Sequence, residues 1–275
     1  MTTPLVVVAD DFGLTAATAG AILEAHHGGI VTATSVLALA PGALGLVPLL
    51  EDAPDLGVGV HLALVGEDPP LLSAREIPTL VDARGRLAES WRRLLPRLAL
   101  RRVDPGDLRR ELAAQVDAVA AATRARHLTH LDSHQHLHLW PSVAAVVIDL
   151  AREHEIGRIR VPRPTGGGLR TAGLTRLAAG LDRRLGEAGI ARTDRFRGID
   201  EAGGWSAAGL EGALAQLADG RGSVELNVHP GAVSDPERGR YAWSYGWGAE
   251  LAALTAPQVR DAVVRTGFTL AATVV

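Results

Sequence analysis

Two adjacent carboxylates, Asp10 and Asp11, follow directly on the apolar run Leu5–Ala9. Four of the ten histidines (His130, His134, His136 and His138) fall in one short segment, with His127 just before it. Neighbouring carboxylates repel each other unless a cation or a proton relieves them. Imidazole is the commonest metal-ligand side chain, and nothing about folding asks for so many in one place. In an extended segment His134, His136 and His138 would point the same way. Two further histidines stand at the ends of apolar runs: His61 in Gly57-Val58-Gly59-Val60-His61-Leu62, and His229 in Glu225-Leu226-Asn227-Val228-His229-Pro230-Gly231. Each feature alone has a plain structural explanation, as a cap, a core histidine or a turn. Together they offer more. Asp11, His61 and one histidine of the cluster supply a carboxylate and two imidazoles with positions left for water, the composition of a catalytic metal site. Asp10 and His229 then remain as an acid/base pair. The reaction such a set performs is metal-assisted hydrolysis, in which the ion brings the pKa of water toward about 7 and polarises a carbonyl.

Composition removes the competing chemistries. The 275 residues include no cysteine, and all 28 basic residues are arginine. That excludes a thiolate nucleophile, Cys-ligated zinc, a Schiff-base lysine and the lysine of a P-loop. A net charge of −3 gives no bulk electrostatic case for nucleic acid. The arginine-rich run Trp91–Arg110, interleaved with Leu94, Leu95, Leu98 and Leu100, reads as a solvated amphipathic helix. No apolar stretch is long enough for a membrane span, and Leu5–Val8 lacks the preceding basic residue of an export signal, so the expected location is the cytoplasm.

The elements that must position these groups alternate. Strands are predicted at Leu5–Ala9, Val31–Leu39, Gly57–Leu64, His127–Asp132, Arg158–Pro162, Arg195–Ile199, Ser223–Val228 and Phe268–Val275, with Ala/Leu/Arg-rich helical stretches between several of them. Asp104-Pro105 reads as an N-cap followed by proline at the first helical position, placing Leu108, Leu112, Val116 and Val119 on one face. Thr255 with Gln258 reads as a capping box opening the last helix, with Val259 and Val263 facing inward. Strand–helix alternation with eight strands predicts an α/β fold, a distorted (β/α) TIM-like barrel of mostly parallel strands. One domain over residues 1–275 is expected, with loop insertions near 65–103 and 165–194. All four chemical clusters fall at the carboxyl ends of predicted strands, where such folds place active sites.

The motifs Ala9-Asp10-Asp11-Phe12-Gly13-Leu14, Gly59-Val60-His61-Leu62, Thr129-His130-Leu131-Asp132-Ser133-His134-Gln135-His136 and Glu225-Leu226 with His229-Pro230-Gly231 resemble, in order, those of the YdjC/ChbG-like carbohydrate deacetylases. The resemblance implies a distorted (β/α) barrel, a divalent metal and removal of acetyl groups from N-acetylglucosamine units of small oligosaccharides such as chitooligosaccharides. It implies Asp11, His61 and His134 as metal ligands, Asp10 as the base that activates water, and His229 as the acid that protonates the leaving amine. Asp132 and Arg163 are implied as orienting residues. The resemblance points to magnesium, whereas two imidazoles and a carboxylate suit zinc or another transition metal on ligand grounds. The expected partner is a small N-acetylated sugar, with neither nucleic acid nor membrane, and a homodimer is a family expectation. Two alternatives stand beside this reading: a metal-dependent phosphoesterase or other amidohydrolase on a barrel, and a sugar-binding relative without catalysis.

Overall fold

Strands form where the β-branched runs predict them: β1 Thr3–Phe12, β2 Ala33–Val36, β3 Gly57–Leu62, β4 His130–Ser133, β5 Arg158–Ile159, β6 Arg195–Arg197, β7 Val224–Val228 and β8 Phe268–Leu270. The structure, a computed structural model, describes residues 2–124 and 126–274. Val275, the end of the predicted strand Phe268–Val275, therefore lies outside the described residues, as do the two ends of the predicted 1–275 domain. Between the strands run α1 Ala16–His27, α2 Ala43–Leu46, α3 Trp91–Ala99, α4 Pro105–Ala122, α5 Pro141–Glu153, α6 Leu169–Ala188, α7 Ala207–Ala218, α8 Trp247–Thr255 and α9 Pro257–Arg265. None of the helices among the described residues is long and apolar enough to cross a membrane.

All the strand pairings are parallel, in the order β5-β4-β3-β2-β1-β7-β6, with β8 beside the start of β1. The outer strands approach each other. Ala191, just before β6, bridges Arg158 of β5 and accepts a bond from the Ile159 N–H at 3.1 Å. The Arg160 guanidinium, directly after β5, reaches Asp10 of β1, Asp132 of β4 and Glu225 of β7 at once. A flat sheet could not bring β5 and β7 together, since they lie near opposite ends of the strand order. The sheet is curled into a distorted (β/α) barrel.

The period of two then decides what lies inside. Leu5, Val7 and Ala9 of β1 belong to the large apolar layer beneath the helices, whereas Val6, Val8 and Ala33 form a small separate cluster with Ala271 and Val274. By the same parity Asp10, Ser35, His61, Asp132, Glu225 and Asn227 face the interior, and all of these are buried. Gly59 belongs to that set. A Cβ on it would lie 2.5 Å from the His130 carbonyl oxygen and 2.6 Å from the His130 ring, so glycine is what admits that imidazole. Gly59→Ala should lower stability by about 1–3 kcal/mol through overpacking, readable as a drop in Tm. An unchanged Tm would mean that the interior yields at this point.

Helix starts follow local chemistry. Asp104 caps α4, accepting from the Gly106 and Asp107 N–H groups, and Leu108, Leu112, Val116 and Val119 are fully buried. The expected capping box at Thr255 does not form. Thr255 is the last residue of α8, its hydroxyl donates back to the Leu251 carbonyl, and α9 begins at Pro257 without a side-chain cap. Proline restricts Ala256 before it and breaks the helix there; Val259 and Val263 are nonetheless buried. The stretch 65–103 runs irregularly into α3, and 165–194 carries α6, the crossover from β5 to β6.

Candidate active site

Strict alternation would turn Asp11 away from Asp10. The chain avoids this with a register shift in β1 between Ala9 and Phe12, and with a left-handed backbone at Asp11 (φ 66°). Aspartate tolerates that region better than most residues, and such local strain concentrates at functional sites. Both carboxylates thereby face the ring of His61. A second irregularity follows β4, where Gln135 (φ 54°) and His136 (φ 55°) are both left-handed. The segment Ser133–His138 is therefore not extended, and its histidines separate instead of pointing one way. His134 meets Asp11. His138 turns inward, bonding the Ser133 hydroxyl at 2.6 Å and the Arg160 carbonyl at 3.0 Å. His136 lines the cavity above.

One ligand atom each from Asp11, His61 and His134 lies within 4.8 Å of the others. His61 Nδ1 is engaged by Asp132 Oδ1 at 2.7 Å, which leaves Nε2 facing Asp11 Oδ1 at 3.4 Å. His134 Nδ1 is 3.8 Å from the same oxygen. Among the described residues, Asp11 Oδ1 is buried without a hydrogen-bond partner, a costly state that a cation relieves. Burial raises the Asp11 carboxyl to about 7. Burial disfavours protonation of His61, yet Asp10, Asp132 and Asp11 override it and raise that imidazole to about 9. Burial, with His61 nearby, lowers His134 to about 3, which keeps it neutral as a ligand must be. A second grouping, Asp10 with His61 and Asp132, is already committed. Both Asp10 oxygens accept from Arg160 at 2.7 Å, and Asp132 is held by His61 Nδ1 and by Arg160 at 2.9 Å.

Charge within the barrel supports the same assignment. Arg160 serves Asp10, Asp132 and Glu225, and Arg158 pairs with Glu225. With Asp11 ionised and His61 neutral, as ligands must be, four buried strand-borne carboxylates (Asp10, Asp11, Asp132 and Glu225) are faced by two buried guanidiniums, a deficit of two positive charges that a divalent cation matches. Burial alone would push Asp10 up, but Arg160 and His61 hold it well below the usual carboxylate range. His229 Nε2 is 3.8 Å from Asp10 Oδ2. Burial lowers His229 to about 4, so it rests neutral, and its Nδ1 has no hydrogen-bond partner among the described residues. The backbone N–H of His229 donates to Glu250 of α8 at 2.6 Å.

Of the residues read from sequence, Asp10, Asp11, His61, Asp132, His134 and His229 converge on one site. Arg163 does not. It donates to Asp182 of α6 at 2.8 Å and to the Thr193 carbonyl at 3.1 Å, because β5 ends at Ile159 and Pro162 and Pro164 carry the chain away. The guanidinium at the site is that of Arg160, which a count of two from Arg158 along the strand would have placed inside. Glu250 had no signal beside the motifs. The run Tyr241-Ala242-Trp243-Ser244-Tyr245-Gly246-Trp247 did have one, since it gathers four of the chain's few aromatics. It covers the site, with Trp243 against His134 (ring centroids 5.5 Å apart) and Tyr245 against His229 (4.9 Å). Asp10, Asp11, His61, His134 and His229 line a cavity of about 730 Å³.

The sequence profile described as YdjC-like protein matches residues 4–265. A carbohydrate deacetylase of Brevibacillus brevis is 35% identical over 152 residues, 55% of this chain and 57% of that relative, so the chain covers less than two thirds of its length. A chitooligosaccharide deacetylase of Yersinia pseudotuberculosis is 29% identical over 277 residues, covering 97% of this chain and 96% of its own. The crystal structure of a candidate cellobiose-phosphate cleavage protein from Enterococcus faecalis V583 matches with a TM-score of 0.80 and 25% identity, over 98% of this chain and 97% of that one.

Proposed function

The chain belongs to the YdjC-like protein family, and from that premise we propose that it is a metal-dependent hydrolase removing acetyl groups from N-acetylglucosamine units of small oligosaccharides. One observation carries the reading. Asp11, His61 and His134 converge around an unpartnered carboxylate oxygen, with Asp10 and His229 side by side at the same cavity.

Asp11, His61 and His134 would hold the ion, with Asp132 fixing the His61 ring so that Nε2 is the nitrogen presented. A divalent cation there supplies acidification of water and polarisation of the amide carbonyl. The remaining work is done by protein groups. Asp10, aligned by Arg160, accepts the proton of the attacking water. His229 Nε2 lies 3.8 Å from Asp10 Oδ2, beyond a direct hydrogen bond, and would take that proton through one bridging water. His229, now cationic, protonates the nitrogen as the C–N bond breaks. Tyr245 shields its ring from solvent. The products are acetate and the free amino sugar.

The test joins metal analysis to a screen for acetate release over N-acetylated mono- and disaccharides, with aryl phosphates as a second substrate set. Acetate release that is lost on chelation and restored by metal is the expected result. Phosphate release without acetate would overturn the reading. Two imidazoles and a carboxylate favour zinc or a similar transition ion on ligand chemistry, and the family resemblance favours magnesium; the same analysis decides between them.

Metal uptake should also release protons. His61 at about 9 and Asp11 at about 7 are raised in the metal-free protein, and both must be deprotonated to bind an ion. Affinity should therefore rise with pH across the window from about 7 to 9 and weaken below it. Calorimetry in buffers of different ionisation enthalpy would read the released protons. A titration without proton release would place the ion elsewhere.

A further inference from the structure

His229 must present Nε2 to the reacting centre, yet among the described residues no side chain bonds its ring. Nδ1 has no partner, and Nε2 stands 3.8 Å from Asp10 Oδ2. What fixes the ring lies in its backbone. β6 ends at Arg197, and Gly198 (φ 126°) abuts the Asn227 carbonyl as the chain turns off, so the edge of β7 beyond that point has no strand beside it. Two side chains take the missing strand's place. The Trp205 indole N–H donates to the Asn227 carbonyl at 3.0 Å, and Glu250 Oε1 accepts from the His229 N–H at 2.6 Å. Glu250 is fully buried, and its other oxygen has no hydrogen-bond partner among the described residues. Packing alone would be served better by a leucine at that point of α8, since a buried carboxylate loses its water. A hydrogen bond to a charged acceptor, however, is roughly twice as strong as a neutral one. Tyr245, whose ring packs on that of His229, lies just before α8. Its segment is tied down at both sides, the Gly246 N–H donating to the Gly203 carbonyl at 2.7 Å and the Gly231 N–H to the Trp247 carbonyl at 3.1 Å. The start of α8 thus holds the His229 backbone from one side and its ring from another.

We propose that Glu250 is a positioning residue for the acid step: by holding the His229 N–H it sets where the imidazole stands, and so its distance from Asp10 and from the leaving nitrogen. Glu250 does not line the cavity and belongs to neither carboxylate–histidine grouping, so its effect on the reaction passes through His229. The proposal rests on the deacetylase reading and adds to it a residue that lies outside the sequence motifs.

The test is a double-mutant cycle on acetate release from N-acetylated mono- and disaccharides, with kcat and KM separated and metal content measured for every protein. Glu250→Met removes the acceptor, and kcat should fall about 10–100-fold, the effect of displacing a catalytic group by about 1 Å, at unchanged KM and full metal stoichiometry. Glu250→Gln keeps an oxygen at the same reach and should recover most of the loss. Added to His229→Ala, Glu250→Met should lower kcat by no more than about twofold further, because the ring it places is gone. Glu250→Asp, which withdraws the oxygen by one methylene, replaces Glu250→Met in the cycle should that variant not fold. Equal losses in the native and His229→Ala backgrounds would make Glu250 merely structural, overturning the proposal and leaving the deacetylase reading intact. Native kcat in Glu250→Met, or an effect confined to KM or to metal content, would overturn it in the same way. A native protein that releases no acetate from any of these sugars rejects the deacetylase reading, and the proposal falls with it.

Discussion

With asparagine at position 10, acetate release should fall by about 10²–10⁴-fold, the usual contribution of a positioned base, while the metal stays bound at full stoichiometry. The amide matches the carboxylate in size but cannot accept the proton of water. Asp10 is outside the proposed ligand set, because both of its oxygens face Arg160. Removing its charge leaves Arg160 compensated by Asp132 and Glu225, so the barrel should remain folded and metal content is a fair control. Steady-state kinetics beside metal analysis decides the matter. Unchanged turnover would transfer the base role away from Asp10, with His229 the next group in line. Loss of metal together with activity would make Asp10 a ligand.

The second large effect concerns Arg160, a positioning residue. Arg160→Met strips the shared cation from Asp10, Asp132 and Glu225, all of them at most 2% exposed. Breaking a buried pair from one side costs about 3–5 kcal/mol. At about 2–4 °C of Tm per kcal/mol for a chain near this size, Tm should drop by roughly 6–20 °C. The pH dependence should change sign as well. In the native protein Asp10 is depressed below its unfolded value, so its stabilising contribution is complete above the ordinary carboxylate range and is lost only as pH falls through the depressed value. Without Arg160, burial dominates and raises Asp10. The variant is then destabilised as pH rises above the ordinary carboxylate range, and should recover stability as pH is lowered back toward that range. Thermal melts across that window test this. A variant with native Tm and a native pH profile would show that the guanidinium contributes nothing to the centre. Arg160→Lys keeps the charge but not the planar fork, and should fall between the two.

Most of the site is legible in the sequence because it obeys a period of two. Once Leu5–Ala9, Gly57–Leu64 and Ser223–Val228 are read as strands, parity alone sends Asp10, His61 and His229 to one side of the sheet. The parts that escape are those where the backbone leaves that period. Asp11 reaches the centre through a left-handed residue in a shifted register. His134 and His138 part company because two left-handed residues separate them. Arg163 looks like the arginine at the end of a strand, but the strand ends four residues earlier and its neighbouring prolines divert the chain. Glu250 acts through a backbone N–H from a helix remote in sequence, a contact that no spacing rule anticipates. Thr255 fails as a cap for a related reason, since Pro257 governs where that helix begins.

The ion network around Arg160 also bears on the order in which the chain can complete itself. Asp10 and Arg160 are 150 residues apart, and Glu225 lies 65 further on. During synthesis, β1 to β4 emerge with Asp10, Asp11 and Asp132 before either guanidinium exists to neutralise them. Contacts of such long sequence separation form late and slowly. The first half of the barrel must therefore wait, hydrated and unclosed, until β5 and β7 arrive. Closure then desolvates the charges of both halves together, so the reacting centre cannot be completed before β7 has been made.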